Sequence, residues 1–138
     1  MDLGPLQQAI YDRLTGVPAV NDAVVGIYTQ TPQNAKSEDP AAFPFITIGS
    51  FAPKPMDTDG SNGISALVDV HLWSRSTSAL TWRAISSAVY DALHKYTALN
   101  VVGAQVVDCL FETGAEIPDP DDITTHSIVS FRVTYFTS

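Results

Sequence analysis

Between Ile64 and Tyr96 the hydrophobic period of the chain changes once, from two to between three and four. Ile64, Ala66, Val68, Val70 and Leu72 alternate with Ser65, Leu67, Asp69, His71 and Trp73. That alternation puts the aliphatic set on one face of a strand. The hydroxyl-rich run Ser74-Arg75-Ser76-Thr77-Ser78 then supplies helix-capping side chains. From there Trp82, Ile85, Val89, Ala92, Leu93 and Tyr96 recur at helical spacing, with Arg83, Ser86, Ser87, Asp91 and Lys95 off the stripe. A one-faced strand followed by a one-striped helix predicts a two-layer core.

The remaining elements follow from the same patterns. Leu3, Leu6, Ile10 and Leu14 predict a first helix over 3–14, with Pro5 early and Gly16 at its stop. Val17-Pro18 opens a connector, and Val24 to Tyr28 is a short strand. Residues 30–44, with three prolines, form a loop. Phe45 to Phe51 is a second strand, and 53–63 is a flexible connection from it into the long strand, which makes the two antiparallel neighbours. Val106 to Phe111 is a further strand with Val107, Cys109 and Phe111 facing one way and Asp108 and Glu112 the other. Residues 114–122 read as an acidic turn. In the last strand, Thr125 to Phe136, Val129, Phe131, Val133 and Tyr135 point inward against His126, Ser130, Arg132 and Thr134. The expected fold is one α+β domain over 1–138: a largely antiparallel sheet of about five strands with two helices packed on one face.

Length and composition fit that picture. A chain of 138 residues with 45% hydrophobic residues buries a sufficient core without metal or disulfide. Its single cysteine, Cys109, precludes an intramolecular disulfide and is compatible with a reducing compartment. No apolar run is long enough for a membrane span, and Met1-Asp2-Leu3-Gly4-Pro5 lacks the basic start of a signal peptide. The net charge of −8, from 15 carboxylates against 7 lysines and arginines, argues against a surface that grips phosphates or anionic lipid.

Candidate chemistry is sparse. Nucleophile elbows, phosphate loops, dinucleotide fingerprints and zincin motifs are missing from the sequence, so no catalytic residue, cofactor or metal is expected. Cys109 reads as a buried small hydrophobe. His71, His94 and His126 lack metal-ligand spacing, and surface or interface roles suit His71 and His126, which fall on strand faces opposite the expected core. The run from Asp57 to Gly63 begins like a calcium loop, but Asn62 stands where the sixth-place glycine belongs and Val68 where the final glutamate belongs. Glu116, Asp119, Asp121 and Asp122 read as a solvated acidic turn. Leu67 and Trp73 lie on the polar face of the long strand, where either a partner or one of the chain's own loops covers them.

Several local strings, taken in order, carry a resemblance. They are Leu6, Ala9, Ile10, Tyr11 and Leu14 in the first helix; Gly26-Ile27-Tyr28 followed by Thr31-Pro32-Gln33; and Phe43-Pro44-Phe45-Ile46-Thr47-Ile48-Gly49. Next come Val68-Asp69-Val70-His71-Leu72-Trp73-Ser74-Arg75, Ala88-Val89-Tyr90-Asp91-Ala92-Leu93, and Thr125-His126 with Val129 and Phe131-Arg132-Val133. The chain resembles the tail-completion, or tail-terminator, proteins of tailed bacteriophages and of phage-derived particles such as gene transfer agents. The resemblance spans nearly the whole chain and rests on order and spacing, since each string alone is an ordinary strand or helix pattern.

That resemblance implies a virion neck protein assembled in a bacterial host's cytoplasm. It implies a homo-oligomeric ring, commonly a hexamer, that sits on the major tail-tube protein, stops tube growth and meets the head-side connector or stopper. DNA passes through the central hole without specific binding, and no catalytic residues are carried over. Interface candidates are Met56, Asp57, Asp59, Leu67, Trp73, Arg75, Glu116, Asp119, Asp121 and Asp122, with Glu112 and the last four also candidates for the lumen. The loops 30–44 and 53–63 are candidate docking arms. Three rivals remain at this stage: another neck component, a small α+β enzyme built on converging His71, Asp69 and His126, and a binding module of unknown ligand.

Overall fold

The computed structural model describes residues 2–29, 43–75, 79–118, 120 and 124–137. Its elements run α1 (Gly4–Thr15), α2 (Pro18–Asn21), β1 (Gly26–Tyr28), β2 (Phe45–Pro55), β3 (Asn62–Ser74), α3 (Ala79–Leu93), β4 (Ala104–Pro118) and β5 (Thr125–Thr137). The strands form one sheet in the order β1-β2-β3-β5-β4. β1 joins β2 in parallel and every other pairing is antiparallel. This is the expected α+β arrangement, with the single turn α2 added where Pro18 starts a helix inside the connector.

The centre of the sheet is the β3–β5 ladder, continuous from Asn62↔Thr137 to Ser74↔Thr125. Cross-strand partners Ala66↔Val133, Val68↔Phe131 and Val70↔Val129 stack their side chains on one face. Leu6, Ile10 and Leu14 of α1 and Ile85, Val89 and Leu93 of α3 pack onto that face to complete the core. The Arg13 Nε–H donates to the Ala92 carbonyl at 2.9 Å, and the guanidinium lies 3.7 Å from the Tyr96 ring centroid. This ties α1 to the end of α3.

Three expectations change. The connection 53–63 is a hairpin turn: Pro53 to Pro55 and Asn62-Gly63 belong to the strands. Met56 N–H donates to the Gly63 carbonyl at 2.8 Å, and Asp57 Oδ1 accepts from Gly63 N–H at 3.1 Å. The turn-rich composition masked a ladder that the apolar spacing of β3 continues. Second, β4 runs on to Pro118, so Gly114 to Pro118 are strand rather than turn, paired with β5 as far as Thr125. Third, Val107 does not share the face of Cys109. A bulge between Val106 and Asp108 shifts the register, so Val106 takes the inward place at 6% exposure and Val107 is left 43% exposed. A second bulge sits between Phe111 and Thr113, at Glu112.

The two sheet edges are treated differently. On β2 a register shift falls between Ile48 and Phe51, at Gly49, whose φ of 118° suits only glycine. Beyond it the hydrogen-bonded pair Met56–Gly63 fixes the ladder's alternation, which turns Pro53 and Pro55 toward the free edge, where they offer no donor. On β4, Lys95 N–H donates to the Cys109 carbonyl at 2.6 Å and Phe111 N–H donates to His94 Nδ1 at 3.0 Å. The turn after α3 therefore covers the middle of that edge.

Candidate functional site

Two surfaces of the fold carry side chains that the core does not use. The first is the sheet face opposite the helices. Phe45 is only 2% exposed, yet it lies outside the main core cluster. Its ring meets Tyr28 at 6.1 Å, Phe43 at 5.2 Å and Trp73 at 6.1 Å between centroids. Trp73 stacks on His126 at 3.8 Å, with the planes 8° apart. Arg75 lies 4.4 Å over the Phe43 ring, and its Nε–H donates to Thr124 Oγ1 at 3.1 Å. The register forces this meeting: Phe45↔Trp73 and Trp73↔His126 are direct cross-strand partners on one face.

Further along the same face His71 Nδ1 and His126 Nε2 lie 2.6 Å apart. Asp69 accepts from Ser50 Oγ at 3.1 Å and from Ser130 Oγ at 2.6 Å. Desolvation lowers the His71 pKa from its ordinary value, against smaller raising contributions from Asp69 and the Gly49 backbone. Next, Arg132 bridges Glu112 at 3.0 Å and also donates to Ser65 Oγ at 3.2 Å. Leu67, directly opposite Arg132, is partly buried.

The second surface is formed by α3 and β4. Trp82 Nε1–H donates to Glu116 at 3.0 Å and Arg83 Nε pairs with it at 2.9 Å. Both contacts hold the Glu116 carboxylate below its usual pKa, the Arg83 one more strongly. They set the first turns of α3 beside the end of β4 and frame a cleft of about 390 Å³ floored by Phe111, Ile128 and Val129. Large apolar side chains remain uncovered here: Leu80 is 79% exposed, with Tyr90 and Phe111 also exposed; Ile117, 46% exposed, and Leu110 lie on the other face of β4, opposite His126 and Arg132.

The sequence candidates thus divide. Trp73 and Arg75 join one aromatic cluster, with the Trp73 ring stacked on Phe45 and His126. Met56, Asp57 and Asp59 stand exposed at the β2–β3 turn, where Asp57 also caps the turn. Glu116 belongs to the other surface and is engaged by Arg83 and Trp82. Asp119, Asp121 and Asp122 lie outside the described residues, as does the loop 30–44 except its last two positions. The convergence of His71 and His126, which the sequence reading named only as a requirement of the enzyme alternative, follows from the strand register. The exposed apolar set on α3 and β4 had no counterpart in the sequence reading.

Cys109 is 1% exposed, and burial pushes its thiol up to about 12 from an ordinary 9.0. A thiol so shifted contributes stability below pH 9.0 that is lost as pH rises toward 12. It also leaves little thiolate to react. At pH 8 an aromatic disulfide reagent is expected to modify the native protein at least about 100-fold more slowly than the urea-unfolded chain, read as absorbance of the released thiolate. Equal rates would show that the β4 strand opens freely.

Comparison with known proteins agrees with the fold. The chain matches the family described as tail completion protein gp17 over residues 8–135. It is 30% identical over 129 residues to the tail completion protein gp17 of Bacillus phage SPP1, spanning 94% of this chain and 90% of that protein. The solved structure of bacteriophage SPP1 gp17 superposes with a TM-score of 0.60 at 26% identity, covering 99% of this chain and 92% of that one. A chain in the virion of a native gene transfer agent particle shares the fold with a TM-score of 0.80 at 18% identity, covering 95% and 94%. With a sheet of the same architecture and a family match across nearly its full length, this chain belongs to the gp17 family of phage tail completion proteins.

Proposed function

We propose that this virion tail protein works as a ring of identical subunits, commonly six, seated at the head-proximal end of a tail tube. There it ends tube growth and presents its other side to the head-side connector. The observation that carries the reading is the uncovered apolar set on α3 and β4: Leu80, Tyr90, Leu110, Phe111 and Ile117. Side chains of that size, left uncovered around the β4 edge of a small domain with Leu110 and Ile117 on one sheet face and Leu80, Tyr90 and Phe111 on the other, mark an edge made to be covered. A heterologous contact made there closes on itself when its rotation divides a full turn, which limits growth by geometry alone.

The other parts take roles consistent with that ring. The β2–β3 turn, with exposed Met56, Asp57 and Asp59, is a docking arm toward the tube or the connector. The carboxylates Glu112, Glu116, Asp119, Asp121 and Asp122 are lumen candidates, since an acidic channel releases DNA rather than holding it. No bond-making chemistry, cofactor or metal enters this mechanism.

Native mass spectrometry with negative-stain imaging of the purified protein, alone and on isolated tail tubes, tests the reading. Closed rings of one subunit number, free or capping tube ends, are expected. Monomers that leave tube ends bare at every concentration would overturn it.

A further inference from the structure

We propose that the cavity between the start of α1 and the β2–β3 turn is a socket for an arginine side chain of a partner protein. The cavity measures about 450 Å³ and lies where that turn and the end of β5 meet Asp2 and Pro5. The inference rests on the reading of the turn as a docking arm and adds the chemistry of what the arm meets.

Tyr135 lines this cavity, is 2% exposed, and its hydroxyl has no hydrogen-bond partner. A buried hydroxyl without a partner is destabilising, so an incoming group that pairs with it is favoured. Burial raises the phenol's pKa, and the Asp2 carboxylate raises it further, so the phenol oxygen lies toward the side of the cavity where Asp2 stands. Asp2 Oδ1 accepts from Gly4 N–H at 2.9 Å, and Asp57 Oδ1 accepts from Gly63 N–H at 3.1 Å. Each carboxylate is thus held in place by nearby backbone, with its second oxygen left over. Among the described residues neither carboxylate has an ion-pair partner, and no lysine, arginine or histidine lines the cavity. Lys54, close by in sequence, is in register with Ser65 and falls on the sheet face opposite Ile64.

A fitting occupant brings positive charge, several N–H donors and an aliphatic stem. Pro5, Pro55 and Val102 supply apolar walls, and Val102, 74% exposed, is surface that a stem covers. Arginine meets all three needs: its fork of N–H groups can serve both leftover carboxylate oxygens and the phenol oxygen, and it is weakly hydrated. A lysine ammonium is a compact, strongly hydrated charge and fits less well. A bare divalent cation takes about six or more oxygen ligands, and no group of three or more acidic, histidine or cysteine side chains gathers among the described residues. The net charge of −8 also draws a basic partner toward this chain.

The test titrates the full chain, followed by proton–nitrogen spectra, with four probes. They are Nα-acetyl-arginine N-methylamide, which presents the side chain as a protein does; its uncharged isostere Nα-acetyl-citrulline N-methylamide; free arginine; and magnesium chloride. The blocked arginine should shift the amides of Gly4, Gly63 and Ala104 saturably, with a Kd of about 1 mM. The citrulline probe should not, and free arginine should bind no more tightly, because its carboxylate meets the acidic mouth. Asp57→Asn keeps an oxygen for Gly63 and loses the charge; Tyr135→Phe keeps the ring and loses only the unpaired hydroxyl. Each should raise the Kd at least about tenfold, while Tyr135→Phe leaves the urea midpoint unchanged or raised. Equal affinity for the citrulline probe, or tighter binding of free arginine, would overturn the socket. So would magnesium shifting these amides where the blocked arginine does not, or no saturable shift up to about 50 mM probe. The titration reads a single subunit, so its outcome is separate from whether rings form.

Discussion

Phe131→Ala is expected to lower the unfolding free energy by about 3–5 kcal/mol, a large share of the roughly 5–15 kcal/mol that a domain of this kind possesses. Phe131 is 1% exposed at the middle of β5, a strand with neighbours on both sides. It stands opposite Val68 on β3 and Phe111 on β4, and meets the Phe111 ring edge-on at 6.0 Å between centroids. Truncation removes apolar burial and leaves a cavity that the strands hydrogen-bonded on either side of β5 cannot collapse to fill. Urea unfolding is the measurement: the midpoint should fall while the denaturant slope stays constant. Phe111→Ala is the internal comparison. Its ring is already more than a third exposed on the edge strand, so its loss should cost clearly less. Equal costs would contradict the assignment of β5 as the packed centre.

The contrast between these two phenylalanines marks where the sequence is informative. Both belong to alternating strands, and the alternation of β3 and β5 sets the buried faces correctly because each has a neighbour on both sides and a core on one. β4 is an edge strand, and its pattern is interrupted by two bulges. The first moves Val106 inward and Val107 out, against the simple reading that put Val107 beside Cys109. A bulge adds one residue to one strand, and its place depends on the partner strand, so no local window contains it. The same reason hides the end of β4. Glycine, glutamate and proline at 114–118 look like a turn until Arg83 and Trp82, more than 30 residues away, are seen holding Glu116.

The candidate surfaces were legible to different degrees. Trp73 stood out as a large aromatic on a polar face, and its stacked neighbours Phe45 and His126 follow once the register is known. His71 and His126 are separated by 55 positions, and only the pairing of β3 with β5 makes them a pair. Leu80 fell on the apolar side of no stripe, so its exposure carries meaning only with α3 already placed.

Leu80→Asp combined with Ile117→Lys is expected to weaken subunit association by at least about 100-fold while leaving the isolated fold intact. Both side chains project into solvent near the end where α3 meets β4, Leu80 on the helix side and Ile117 on the opposite sheet face, so neither substitution removes core packing. An aspartate in the first turn of α3 is favoured by the helix dipole, by about 0.3–1 kcal/mol. A lysine on the edge strand β4 is a common protective residue against strand pairing. In a closed ring the same two positions would be covered, and burying an unpaired charge in each interface opposes assembly. Two interface positions worth about 2 kcal/mol each would exceed the factor of 100 even if they were partly redundant. Sedimentation velocity across a concentration series gives the association constant, and thermal unfolding at low concentration gives the fold control. A variant that assembles like the parent would remove this end of α3 and β4 from the interface. A variant that unfolds at low concentration would instead show that this end of the sheet is stabilised by contacts within one subunit.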